Sequence, residues 1–138
     1  MPDSCEKLQT TYECNFLSCV IRKRTMPKTS EYKSLEVYNI SKQLVIACYE
    51  LTHEFPAEEK TNFTRYIRTA ALNLLINVAQ GAFLKSKKRK KFIRNAKNAL
   101  VIIDAATEIL VELRFATQEQ IDVVISLSSS CYQLLDEL

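Results

Sequence analysis

The chain has a single glycine, a single histidine and three prolines among its 138 residues. Each scarcity excludes something. With one glycine, neither glycine-rich phosphate loop, GxGxxG or GxxxxGK[ST], can be written. A sandwich or barrel of short strands needs turn residues at about every 8–12 positions, and this chain cannot supply them. One histidine, His53, leaves a Ser-His-Asp triad or a histidine-based metal site poorly provisioned. No run of about 18 apolar residues is present to span a membrane. Asp3, Glu6 and Glu13 interrupt the first residues, so no signal peptide is expected. What remains is an all-α protein with little equipment for catalysis, expected to be non-enzymatic and to need no metal or cofactor.

Five cysteines, Cys5, Cys14, Cys19, Cys48 and Cys131, form an odd set with no CxxC pair, which gives a zinc or thioredoxin-like reading no support. Cys48 and Cys131 fall within apolar helical patterns, where a cysteine behaves as a small hydrophobe. Reduced, structural thiols are expected, and with them a cytoplasmic location.

Hydropathy periodicity organises the chain from residue 31 onward. Residues 1–30 carry three of the five cysteines and two of the three prolines without sustained periodicity, and read as a weakly ordered N-terminal tail. In residues 31–138, Val37, Ile40, Leu44, Cys48, Leu51 and Phe55 recur at helical spacing and predict a first helix over 34–53, stopped by Pro56. Phe63, Ile67, Ala70, Leu74 and Val78 predict a second over 58–80. Gly81 is then placed for a left-handed cap. Phe92, Ala96, Ala99, Ile103, Ala106, Leu110 and Leu113 predict a third over 87–114, with Ser86 as candidate N-cap. Thr117 and Gln120 form a capping-box pattern before a fourth, carried by Ile121, Val124, Ser128, Cys131, Leu135 and Leu138. Short connections between long helices favour an antiparallel up-down-up-down four-helix bundle. Ala71, Leu72, Leu75, Ile76, Val101 and Ile109 lie outside a single stripe per helix. They suggest contacts between subunits, in a homo-oligomeric ring.

The net charge of +3 hides a strong segregation. Residues 60–97 carry 11 basic and no acidic side chains, while residues 98–138 carry 1 basic and 7 acidic ones. Eight cations, Lys85, Lys87, Lys88, Arg89, Lys90, Lys91, Arg94 and Lys97, fall within 13 residues. On a helix, Lys87, Lys90, Lys91 and Arg94 share a face opposite the apolar stripe. Arg65 and Arg68 add to it if the second and third helices are adjacent. Cations at a helix start oppose the dipole, at about 0.3–1 kcal/mol each, and repel one another at i,i+3 and i,i+4. A merely solvated face would mix glutamate with lysine. A polyanion supplying the missing charge therefore fits the pattern, and RNA or DNA phosphate is the expected partner. Only Phe92 interleaves with the block, and it lies on the apolar stripe. Binding is expected to be salt-sensitive and tolerant of sequence.

The remaining polar candidates are modest. His53 ends the first helix beside Glu54, where a cation suits the dipole. Asp104 and Glu108 stand one turn apart, but the Glu-x-x-His elements of a di-iron bundle are missing. Asn73, Asn77 and Gln80 are read as hydrogen-bonding between helices or subunits.

Four segments together resemble a known family: Ser34-Leu35-Glu36-Val37-Tyr38, Tyr49-x-Leu51-Thr52-x-x-Phe55-Pro56, Ile67-Arg68-x-Ala70-Ala71 and Asn77-Val78-Ala79-Gln80-Gly81. Across about residues 31–126 the chain resembles the four-helix-bundle proteins encoded in 23S rRNA intervening sequences. That family is similar to the accessory variability determinant (Avd) proteins of diversity-generating retroelements. The resemblance implies a homopentameric ring of bundles with a positive surface. In the Avd branch such a ring binds nucleic acid and a reverse transcriptase. Thr69 stands where the intervening-sequence pattern has a second arginine, Leu74-Leu75 fills a later Ser-Ile element, and Arg89 or Lys90 replaces an acidic residue. These departures tilt the resemblance toward the Avd branch. The function expected is thus a non-enzymatic nucleic-acid-binding accessory protein partnered with a reverse transcriptase. The alternatives are an intervening-sequence-type protein of obscure role, or an interaction bundle whose basic face meets an acidic protein.

Overall fold

A computed structural model describes residues 32, 35–82, 84 and 87–138, all within the unit Glu31–Leu138. The tail reading for residues 1–30, the candidate cap Ser86 and the candidate site residue Lys85 lie outside the described residues. Among the described residues four helices carry the fold: α1 (Glu36–His53), α2 (Phe63–Gly81), α3 (Lys87–Glu108) and α4 (Gln118–Asp136). A short 3-10 segment, Ala57–Thr61, precedes α2. Among the described residues no strand occurs, and no helix is long and apolar enough to cross a membrane.

The helical stripes become one core. Val37, Leu44, Cys48 and Leu51 of α1 meet Ile67, Ala70, Ala71, Leu74 and Val78 of α2, with Ala96, Ala99, Leu100 and Ile103 of α3 and Ile121, Val124, Cys131 and Leu135 of α4. Burying a leucine or isoleucine such as Leu44 or Ile103 fully stabilises by about 1.5–3 kcal/mol. Helix α1 packs on α2 and α4, and α3 packs on the same two, with the broadest packing between α2 and α3. Ile40 is only half-buried, and Ser41 takes the interior position beside it. Its hydroxyl is satisfied within the helix, donating to the Val37 carbonyl at 2.6 Å. Thr52 and Thr107 do likewise toward the Cys48 and Ile103 carbonyls.

Three local expectations are corrected. The predicted second helix from residue 58 is split: Ala57–Thr61 is 3-10, Asn62 breaks it at φ −105° and ψ −109°, and α2 starts at Phe63. Pro56 with Glu58 and Glu59 suits either kind of helical start, so these residues do not separate the two. Gly81 is not a left-handed cap. It is the last residue of α2, and no described glycine has positive φ. Its role is close approach: a Cβ there would lie 3.2 Å from the Cβ of Phe92 on α3. The predicted third helix to residue 114 stops at Glu108. The chain then turns, with Arg114 at φ 60° and the Phe115 amide donating to the Leu110 carbonyl at 3.0 Å. Leu110 keeps its core place through this turn, whereas Leu113 is exposed.

The start of α4 matches its sequence signal. The Thr117 hydroxyl accepts from the Gln120 amide at 3.4 Å, and the Thr117 amide donates to Gln120 Oε1 at 3.0 Å. Phe115, just before it, packs against Phe55 and Phe63 at 5.9 and 6.1 Å between ring centres. The α1–α2 and α3–α4 connections are therefore in contact through Phe55, Phe63 and Phe115.

Side-chain hydrogen bonds between helices are few. Arg68 Nε donates to Thr52 Oγ1 at 2.7 Å between α2 and α1. Ser41 Oγ and Cys131 Sγ lie 3.3 Å apart between α1 and α4. Lys97 joins Asp136 between α3 and α4. Across α2 and α3 there is none among the described residues.

Candidate nucleic-acid interface

The first two turns of α3 read Lys87-Lys88-Arg89-Lys90-Lys91-Phe92-Ile93-Arg94, with no acidic residue in the first turn. Phe92 and Ile93 turn inward and are partly buried, while Lys87, Lys88, Lys90, Lys91 and Arg94 are exposed. At 100° per residue, Lys87, Lys91 and Arg94 fall on one stripe with Lys90 beside it. Among the described residues the only salt bridge is Lys97–Asp136, so none of these five cations is paired with a described carboxylate. Arg89 is half-buried, and its Nε is shielded without a hydrogen-bond partner. The α3 start thus concentrates positive charge where the helix dipole already places a partial positive charge.

Three other candidates lie elsewhere. Lys97 is matched within the bundle: it pairs with Asp136 and sits 5.0 Å from the centre of the Tyr132 ring. The Asp136 hydrogen bond holds its ammonium pKa above the ordinary lysine value. Arg68 is engaged with α1, bonded to Thr52 and stacked 4.6 Å from the centre of the Tyr49 ring. Arg65 is exposed one turn before it. Helices α2 and α3 are adjacent, as the expectation for these arginines required, but their register separates them from the block. Phe63 and Tyr66 border a hollow with Ile102 and Ala106, while Gly81 meets Phe92. Rising numbers on α2 thus meet falling numbers on α3. That puts Arg65 and Arg68 level with about residues 101–104, roughly 18 Å along the axis from the centre of the block.

The same register assembles a feature that the sequence pattern did not reveal. Asn73 and Asn77 of α2 and Asn95 and Asn98 of α3 line one open hollow of about 340 Å³, with Ala99 and Ile102. Asn77 Nδ2 donates to the Asn73 carbonyl at 2.7 Å, so the expected hydrogen bond between helices is replaced by one within α2. The carboxamides of Asn73, Asn95 and Asn98 have no partner among the described residues. The i,i+4 and i,i+3 spacings are visible on each helix, but only the α2–α3 register joins the two pairs.

Side chains suited to catalysis are scattered. His53, Asp104 and Glu108 are exposed, and the described residues contain no group of three metal-ligating side chains. Cys48 and Cys131 are buried and unpaired. Burial pushes the Cys48 thiol up to about 12 and raises Cys131 as well. Both therefore stay protonated at neutral pH, as packing residues rather than nucleophiles.

Of the apolar residues outside the stripes, Ala71 is buried in the core and Leu75 is half-buried. Leu72, Ile76, Val101 and Ile109 are exposed on α2 and on or just beyond α3. The profile of a family described as 23S rRNA-intervening sequence protein matches residues 33–137. No curated protein matches the sequence.

Proposed function

The chain belongs to the 23S rRNA-intervening sequence protein family, matched across residues 33–137, and from that premise we propose that it is a non-enzymatic, nucleic-acid-binding accessory protein. The observation that carries this reading is the start of α3, where Lys87, Lys88, Lys90, Lys91 and Arg94 are exposed with no described carboxylate paired to them. A phosphate backbone laid along this face neutralises the cations, releases its own counterions and removes their mutual repulsion. The Arg94 fork suits bidentate contact with one phosphate, and the lysines act as point charges along the strand.

In the fuller form of this proposal the bundles run up-down-up-down and assemble as a pentameric ring. Exposed Leu72, Ile76, Val101 and Ile109 support burial between copies. The resemblance to Avd proteins supports a reverse transcriptase as protein partner and RNA as the template bound. The buried, protonated thiols suit a reducing cytoplasm. Light scattering tests the ring: five copies of the 15.9 kDa chain are expected, and a monomer would remove this part of the proposal.

The main test is a salt titration of RNA and DNA binding with the full chain. Each phosphate neutralised contributes about −0.7 to −0.9 to the slope of log affinity against log salt. Combining Lys87→Glu, Lys90→Glu, Lys91→Glu and Arg94→Glu is expected to flatten that slope by about 3 and to weaken binding about 100-fold or more. Binding that ignores both salt and the four substitutions would overturn the proposal. An acidic protein captured by the wild type, with no nucleic acid bound, would favour the interaction-bundle reading instead.

A further inference from the structure

The basic stripe of α3 continues beyond its last free cation. One turn after Arg94 the same stripe presents Asn98, with Asn95 beside it, and both open into the hollow shared with Asn73 and Asn77. Ile102 borders that hollow and also the next one, an almost wholly apolar depression of about 330 Å³ lined by Phe63 and Tyr66. Tyr66 is 66% exposed, so most of its ring is open to an incoming planar group. Along one seam the molecule therefore offers cations, then carboxamides, then an aromatic face. From Arg94 to Ile102 this covers about 12 Å of helix.

We infer that this seam is a reading track for single-stranded nucleic acid, in which the carboxamides take the edge of a splayed base and Tyr66 stacks the next. The inference rests on the phosphate-binding reading above and adds base recognition to it. The chemistry at each step is specific. A carboxamide carries a donor and an acceptor side by side, complementary to the adjacent acceptor and donor of adenine. Three of the four have both unspent among the described residues. In a duplex the pairing edges of the bases are already used, so only an unpaired strand can bring all its donors and acceptors into the hollow. An exposed tyrosine ring is a sequence-tolerant stacking platform. The carboxamides are uncharged, so they contribute selectivity without adding to the salt dependence.

The test uses the full chain and short homopolymeric RNA strands, with a duplex and inorganic polyphosphate as comparison ligands, at one fixed salt concentration and then across a salt series. The wild type is expected to prefer single strands to duplex and to prefer some bases over others, adenine first. The variant Asn95→Leu with Asn98→Leu is expected to lose about tenfold in affinity for the preferred strand, with its salt slope and polyphosphate binding unchanged. Asn73→Leu alone, from the other helix, should erode the same base preference. Tyr66→Ala is expected to weaken every single strand about tenfold while Tyr66→Phe does not. Circular dichroism and light scattering of each variant establish that fold and assembly are retained.

If the wild type binds no nucleic acid, the function proposed above fails and this inference with it. If it binds strands, duplex and polyphosphate through the cations but shows no base preference, or a preference that the asparagine variants keep, the phosphate reading stands and the reading track is overturned. If the asparagine variants change the assembly state while binding at equal assembly is unaltered, the hollow is a contact between copies and the inference is likewise overturned.

Discussion

Two helix starts in this molecule are built on opposite terms. Helix α4 begins with a reciprocal capping box between Thr117 and Gln120 and has Glu119 in its first turn, so the Thr117 and Gln120 amides are bonded and its dipole is met by a carboxylate. Helix α3 begins with Lys87, Lys88, Arg89, Lys90 and Lys91 and no acidic residue in its first turn. The same chain thus contains a helix start arranged for its own stability and one arranged against it. Core packing does not separate them, because both helices carry an apolar stripe into the core. In the function proposed above, local stability is given up where an outside charge is to be received.

The comparison can be broken from either side. The largest expected effect is that of the quadruple Glu substitution at Lys87, Lys90, Lys91 and Arg94, which should weaken the proposed nucleic-acid binding about 100-fold or more in the salt titration while leaving the core untouched. Next is Gly81→Ala, which drives a Cβ to 3.2 Å from the Phe92 Cβ, an atom fixed to its backbone. Overpacking costs about 1–3 kcal/mol and the gain in helix propensity returns about 1. A net loss of about 1 kcal/mol in urea denaturation is expected, and a more stable protein would show that α2 and α3 can separate freely. Thr117→Ala should cost about 1 kcal/mol by the same measurement, and no loss would mean the box adds nothing to α4. Smallest is Lys87→Glu with Lys88→Glu, expected to raise stability by about 0.5–1 kcal/mol at low salt. A destabilised variant there would remove the contrast between the two starts.

Much of this fold is legible in the sequence because the apolar spacing is regular. Val37, Leu44, Cys48 and Leu51 foretell the buried side of α1, and Thr117 with Gln120 foretells the first turn of α4. The boundaries that went astray share one cause. Pro56, Glu58 and Glu59 satisfy the start of a 3-10 or an α-helix alike, and Leu110 keeps the heptad of α3 although the backbone there has already turned. Spacing reports which side chains are interior, not which backbone carries them. The site divides in the same way. The basic stripe is a property of one helix and can be read along the chain. The separation of Arg65 and Arg68 from it, the pairing of Lys97 with Asp136 and the asparagine hollow depend on which residues of two helices stand level. The close approach at Gly81 likewise requires the partner helix to be known.

The broadest helix packing, α2 against α3, is the one with no side-chain hydrogen bond across it among the described residues. Its neighbours are tied by Arg68 to Thr52, Ser41 to Cys131 and Lys97 to Asp136. A joint held only by close packing forfeits about a quarter to a half of its contact energy once a gap of about 0.5–1 Å opens. That joint therefore tolerates little added volume or widening, with Gly81 and Phe92 already at their closest approach across it.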